Sequence, residues 1–315
     1  MKVAIVTGGT SGFGYATCKL LLKQGFRVII TSRNLGRATK AAEELKTEGG
    51  EAVAMTLDLN DLKSVVSFAN EYQTKYSSDN GDVLVYLILN AGIVKLQRDI
   101  SPQGIEETYA TNHFGGAALF NMLLTKTLLR CKTRVVAVGS LVHSSASVRV
   151  GHDLTGTLNA FSTAGYYADT KLFNTLWSFQ VNKRFAAQGV TSNSVHPGAG
   201  LFTNLGRGDA SAFLKCILTP ILVCLAPLFW CFCFFQTWHD GGVAELAAAE
   251  AAQGGLYFFR HKVSTASARA RDEALQEWLY DQTNAVLREL AIKYNLPLEI
   301  AGLPTTASSS SSESA

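Results

Sequence analysis

Residues 2–17 read KVAIVTGGTSGFGYAT. The run VAIVT (3–7) is apolar and β-branched, the composition of a strand buried on both faces. TGGTSGFG (Thr7–Gly14) then interrupts it and opens a helix. A turn this tight, with backbone N–H groups facing a phosphate, needs positions without a Cβ, and Gly8, Gly12 and Gly14 supply them. A glycine-rich loop alone is a weak signal, because any tight strand–helix turn uses glycine. Its place at the first such junction makes it a dinucleotide loop, with Thr7, Thr10, Ser11 and Phe13 expected on the cofactor beside the glycines.

The alternation continues along the chain. RVIITS (27–32), EAVAMTL (51–57), DVLVYLIL (82–89), RVVAVGS (134–140) and VTSNSVH (190–196) read as strands, with LYFF (256–259) as a seventh. Helical stretches lie between them, for example Asn34–Glu48 and Asp61–Tyr76, with Asp61 as an N-cap and EGG (48–50) as a stop. The expected fold is α/β, a Rossmann-like doubly wound parallel sheet of about seven strands with helices on both faces. It is expected to form one domain over residues 1–300, and the Ser-rich tail 301–315 to be disordered.

Composition narrows the function. Net charge is +3 without a basic block, so nucleic acid is not an expected partner. The six cysteines lack zinc-ligand spacing and read as small hydrophobes, with lipidation near a membrane as a second reading. Met1-Lys2 leads straight into VAIVT, so no signal peptide is expected. The second strand runs into TSRN, placing Arg33, with Arg37 one turn on, where NAD-binding sites usually carry a carboxylate for the ribose 2′-OH. A guanidinium suits a 2′-phosphate, which favours NADP(H) over NAD(H); otherwise Arg33 is a solvated charge leading into a helix.

YYADTK (Tyr166–Lys171) contains two tyrosines and one lysine. Residues four apart share a helix face and residues five apart do not, so Tyr167 is the partner of Lys171. A tyrosine titrates near ~10, and a neighbouring ammonium favours the phenolate, tuning Tyr167 for acid/base work on a carbonyl or alcohol. Ser140 ends the fifth strand, where its hydroxyl could hold the substrate oxygen. Any one of these features occurs by chance.

Together, TGxxxGxG, LNAG (Leu89–Gly92), TNHFGG (Thr111–Gly116), VGS and YxxxK stand in the order found in the short-chain dehydrogenase/reductase superfamily, which the chain resembles over about residues 2–290. SRN, LVH, VHPG and QGGLYFF resemble more narrowly the branch holding retinol dehydrogenases, WW-domain oxidoreductase and the X-linked dehydrogenase/reductase. The resemblance implies that Asn112 holds a water in a proton relay to Lys171, Ser140 orients the carbonyl, Tyr167 donates the proton and Lys171 binds the nicotinamide ribose. It implies that Asp58 and Leu59 lie near adenine, that Asn90, Ala91 and Gly92 line the cofactor, and that Pro197, Gly198 and Thr203 meet the nicotinamide end. Related enzymes often pair through helices beside the catalytic tyrosine, so the resemblance allows a homodimer without fixing the oligomeric state. Gly139 replaces the commoner first serine of a pair, and PGAGLFT has one residue more before Thr203 than the family's spacing. His143 and His196 are expected to be structural.

CILTPILVCLAPLFWCFCFF (216–235) is almost entirely apolar, and twenty helical residues would cover ~30 Å. A single crossing would put the last strand on the wrong side of a membrane from the six it must pair with, and Pro220 and Pro227 break a simple helix. A buried core helix is a second reading. The resemblance implies that the segment after the sixth strand is the substrate lid, and the expected reading is a lid within 199–238 that docks into one leaflet, with Trp230 and Trp238 at the interface. The expected protein is a membrane-associated oxidoreductase on the cytoplasmic face, of endoplasmic reticulum or lipid droplet, acting on a lipophilic alcohol or carbonyl: retinoid, steroid, long-chain or polyprenoid. Its alternatives are a non-catalytic cofactor-binding scaffold of the same fold and a sugar-nucleotide epimerase.

Overall fold

The computed structural model describes residues 1–76, 81–158, 160–200 and 235–300. The tail 301–315, Thr203 and nearly all of the apolar run 216–235 lie outside these residues, so the readings placed on them are not addressed by the structure.

Seven strands run parallel: β1 (Lys2–Val6), β2 (Arg27–Ser32), β3 (Glu51–Thr56), β4 (Val83–Leu89), β5 (Arg134–Val138), β6 (Thr191–His196) and, further along the chain, β9 (Tyr257–Phe259). An eighth strand, β10 (Lys262–Ser264), closes the edge antiparallel to β9, giving the order β10-β9-β6-β5-β4-β1-β2-β3. This hairpin strand escapes sequence reading because it is only three residues long and all three are exposed. A short ribbon, β7 (Ala199–Gly200) with β8 (Phe235–Gln236), stands apart from the main sheet.

Burial on both faces explains the near-continuous apolar strands. Val3 and Ile5 point into one core with α3 (Leu62–Lys75), α5 (Gly115–Leu123), α7 (Thr163–Phe185) and α9 (Glu273–Lys293). Ala4 and Val6 point into the other, with α1 (Gly12–Lys23), α2 (Leu35–Leu45) and α8 (Trp238–Glu250). The remaining short helices, α4 (Glu107–Tyr109) and α6 (Leu129–Cys131), flank α5 through wider π-type turns at Ala110–Phe114 and Leu124–Leu128. Caps fall where expected: Asn34 accepts from Arg37 N–H at the start of α2, and Asp61 from Lys63 N–H at the start of α3.

Two glycines bring α8 onto α1. A Cβ on Gly241 would stand 2.0 Å from the Phe13 ring, and one on Gly242 would stand 2.9 Å from the backbone of Ala16 and Thr17. The helix that carries the Thr7–Gly14 loop is therefore held from behind by backbone contact.

Candidate active site

A cavity of about 720 Å³ opens at the C-terminal edge of the sheet, where a doubly wound fold places its ligand. Thr7, Gly8 and Thr10–Phe13 form one wall. Gly8 and Gly12 have φ of +67° and +62°, a region costly for residues with a Cβ. Gly14 does not line the cavity. It lies under Asn90, whose Nδ2 donates to the Thr7 carbonyl at 2.7 Å; a Cβ on Gly14 would be 2.3 Å from that nitrogen. Thr7 Oγ1 in turn accepts from Ala91 N–H at 2.9 Å, so the loop is bound to the end of β4.

Arg33, Arg37, Asp58 and Leu59 line the cavity at the β2–β3 end, and Asn90, Ala91 and Gly92 its floor. Asp58 is fixed locally, its carboxylate accepting from Asn60 N–H at 3.0 Å. Pro197 and Gly198 line the opposite side after β6.

The tyrosine pair is separated by α7. Tyr166 is buried: its hydroxyl donates to the Gly156 carbonyl at 3.0 Å and accepts from Arg98 Nη2 at 2.8 Å. Tyr167 faces the cavity, and among the described residues its hydroxyl has no hydrogen-bond partner. Lys171 Nζ lies 5.5 Å from the Tyr167 ring centre and donates to the Val138 carbonyl at 2.9 Å. The expected downward pull of the ammonium on the phenol is not what results. Burial pushes Tyr167 up to about 12, and burial also brings Lys171 down to about 8. Desolvation disfavours both charged forms and is the leading cause of each shift, with Glu245 pulling Lys171 the other way.

Ser140 lies on the cavity at the end of β5, its Oγ accepting weakly from Val142 N–H at 3.4 Å. Gly139 leaves room for two hydroxyls: a Cβ there would stand 3.0 Å from both Thr175 Oγ1 and Ser194 Oγ, which bond each other at 3.0 Å. Asn112 stands just behind the cavity in the π-type turn. Its Oδ1 accepts from Ile93 N–H at 2.7 Å and its Nδ2 donates to the Ile93 carbonyl at 2.9 Å; a Cβ on Gly92 would meet both Asn112 and Lys171 within 3.5 Å. His143 donates from Nδ1 to the Ser140 carbonyl at 2.6 Å and accepts at Nε2 from Ser267 N–H at 3.1 Å, a backbone brace.

Sequence reading missed three cavity walls. Leu141 and Val142 line the cavity half exposed, just after Ser140. Lys95 and Glu107 form an ion pair at 2.6 Å above the floor. His196, Phe259 and Arg260 close the end farthest from Arg33; only the β6–β9 pairing brings them together. The glycine cradle, the arginines at the β2 end and a cavity of this size fit a dinucleotide, and the residues on its far side leave space for a second, smaller ligand.

A dinucleotide site with a Ser–Tyr–Lys set at the end of β5 and on α7 defines an α/β oxidoreductase. The short chain dehydrogenase model matches residues 2–210, and the chain belongs to the short-chain dehydrogenase/reductase family. It is similar to retinol dehydrogenase 12 of Mus musculus, 30% identical over 89% of this chain and 84% of that one. Retinol dehydrogenase 11 of Homo sapiens is 31% identical over the same shares. WW domain-containing oxidoreductase of Gallus gallus is 31% identical over 91% of this chain and 68% of the relative. Among solved structures, an uncharacterized protein of Mycobacterium paratuberculosis superposes with a TM-score of 0.68 at 25% identity, covering 91% and 93% of the two chains. A metagenomic blue fluorescent protein in complex with NADPH shares the fold at 0.58 and 21% identity, covering 82% and 95%. The protein is thus an NAD(P)-dependent oxidoreductase acting on CH–OH donors.

Proposed function

We propose that this enzyme interconverts a lipophilic alcohol and its aldehyde or ketone with NADP(H). The observation that carries this reading is Tyr167, its hydroxyl free in a cavity shared with Lys171, Ser140 and the glycine loop. The nicotinamide supplies or accepts hydride when bound. Tyr167 exchanges the proton with the substrate oxygen, and Ser140 orients that oxygen by a hydrogen bond. Lys171 holds the ribose side of the cofactor beside Tyr167. Asn112, behind Gly92, keeps the Ile93 backbone in place beside Lys171 and anchors a water on the proton's way out. Arg33 and Arg37 support the preference for NADP(H) by facing the position of a 2′-phosphate. Leu141, Val142 and Phe259 suit an apolar substrate body, as does the likeness to retinol dehydrogenases.

The test is NADPH oxidation against retinal, a steroid ketone, a long-chain aldehyde and a polyprenal. Tyr167→Phe should lose ~10²–10⁴ in kcat, the usual worth of a positioned proton donor, with NADPH affinity retained. Tyr166→Phe should keep its turnover. NADPH binding without turnover on any of the four carbonyls would favour a non-catalytic scaffold instead. The apolar run 216–235 supports docking on a membrane surface. Deleting it should release the protein to the soluble fraction, and unchanged sedimentation with membranes would refute that part.

A further inference from the structure

β9 and β10 are joined by the two-residue loop Arg260-His261, because Phe259 pairs with Lys262. Arg260 has φ +58°, left-handed backbone that glycine or asparagine adopts at the least cost in a hairpin loop of this length. An arginine there makes the loop less stable and projects a guanidinium from the sheet edge. That side chain lines the cavity, and its Nε is buried with no hydrogen-bond partner. Among the described residues it makes no ion pair, and its guanidinium lies 5.5 Å from the centre of the Phe259 ring.

His196 lies beside it. Its carbonyl accepts from Arg260 N–H at 2.7 Å, its ring lies tilted against Phe259 with centroids 5.2 Å apart, and its Nδ1 is likewise buried without a partner. Two unsatisfied nitrogens in one corner of a cavity are costly unless a ligand satisfies them. The other cavity cations are occupied or distant. Lys95 is paired with Asp99 and Glu107 at 2.6 Å each, and Lys171 is bonded to Val138. Arg33 and Arg37 follow β2, five strand spacings from β9 in the sheet order, which at ~4.8 Å per spacing is roughly 24 Å. The Ser140–Tyr167 pair lies between, so the 2′-phosphate end of a cofactor on Arg33 lies far from the Arg260 corner.

Resting on the carbonyl–alcohol reading above, we infer that Arg260, with His196 beside it, is a specificity determinant that binds an anionic group at the end of the substrate remote from the reacting carbon. The substrate class is then an amphiphile: an apolar body lying on Leu141, Val142 and Phe259, with a carboxylate end on the guanidinium. An uncharged ester of the same body leaves Arg260 unsatisfied and is discriminated against.

The experiment uses the full chain in detergent with NADPH and two probes, a C12 ω-oxo carboxylate and its methyl ester. Wild type should prefer the carboxylate in kcat/KM by about tenfold or more, the range of one charge-assisted hydrogen bond. Arg260→Gly should level the two probes by raising KM for the carboxylate alone, and Arg260→Lys should restore part of the preference. Because glycine relieves the left-handed turn, Arg260→Gly should unfold at the same temperature as wild type or higher, which a purely structural arginine would not allow. A second readout does not need turnover: equilibrium binding of the C12 ω-hydroxy carboxylate should weaken about tenfold in Arg260→Gly while NADPH affinity stays unchanged. Equal kcat/KM for the two probes in wild type would overturn the inference, as would a loss of NADPH affinity in Arg260→Gly, which would assign the arginine to the cofactor. Absent turnover of both probes, with binding of the hydroxy carboxylate still dependent on Arg260, would remove the carbonyl–alcohol reading and leave the anion site standing. Absent turnover with no such dependence would remove both.

Discussion

Glu245 carries a carboxyl group into the packed interface between α8 and α1, where it is fully buried. Thr17 Oγ1 lies 2.6 Å from Glu245 Oε2 and 3.0 Å from the carbonyl of Phe13, in the cofactor loop. The hydroxyl has one proton, so both contacts are best satisfied when the carboxyl is protonated and donates to Thr17 while Thr17 donates to Phe13. Burial pushes the Glu245 pKa up to about 8, with Thr17 and Lys171 pulling the other way. The folded state therefore keeps a proton that the unfolded chain releases between about 4.5 and 8. Its contribution to stability is fully present below that window and is lost as pH rises through it. Glu245→Gln should match wild type in denaturant midpoint near pH 5 and exceed it at pH 9. Curves that stay parallel from pH 5 to 9 would refute a protonated Glu245. At the same scale Tyr166 and Tyr167 show how one helical step separates a bonded structural hydroxyl from a free one.

Among the elements, α1 and α8 determine how firmly the Thr7–Gly14 loop is held. Gly242 faces backbone rather than a flexible side-chain end, so an added methyl cannot be accommodated without moving one helix. Gly242→Ala should cost about 1–3 kcal/mol of stability, as overpacked sites do. It should also weaken NADPH binding, because Phe13 and Gly12 move with α1. Thermal unfolding and an NADPH fluorescence titration measure the two effects. A stable variant with unchanged affinity would show that the helices can separate without disturbing the loop. The β9–β10 hairpin has the opposite character: three exposed residues of β10 contribute little to the core, yet the loop before them delivers Arg260 to the cavity.

At the scale of the whole molecule, a polar seam joins three helical elements behind the site. His113, in the π-type turn before α5, lies 3.3 Å from Asn174 Oδ1 on α7 and 2.9 Å from Thr283 Oγ1 on α9. With Nδ1 donating and Nε2 accepting, both nitrogens are satisfied in the neutral ring. Burial lowers its pKa to about 4 from an ordinary 6.5, so the unfolded chain takes up a proton before the folded one does. Stability should fall as pH drops from 6.5 toward 4, by up to about 3 kcal/mol for this residue. His113→Gln should flatten that acid limb in urea unfolding, and an unchanged slope would assign it to other groups. His196, lowered in the same direction, adds to the limb in both proteins. None of the seam is visible in the sequence, where His113 is one letter in TNHFGG.

What the sequence determined by itself was local or periodic. Apolar strands spaced by helices established the doubly wound sheet, glycines at the first strand–helix turn marked the loop that walls the cavity, and four-residue helical spacing selected Tyr167, the tyrosine that faces it. Each depends on residues close in the chain, where backbone geometry leaves few alternatives. Tertiary structure alone decided the rest. It buried Tyr167 and Lys171 enough to reverse the expected shift of the phenol, placed Gly14 under Asn90 rather than on the cavity, and set Asn112 behind Gly92. It also paired β6 with β9, bringing His196 and Arg260, 64 positions apart in the numbering, into one corner. Desolvation and long-range pairing depend on what surrounds a group in space, and sequence order does not carry that information.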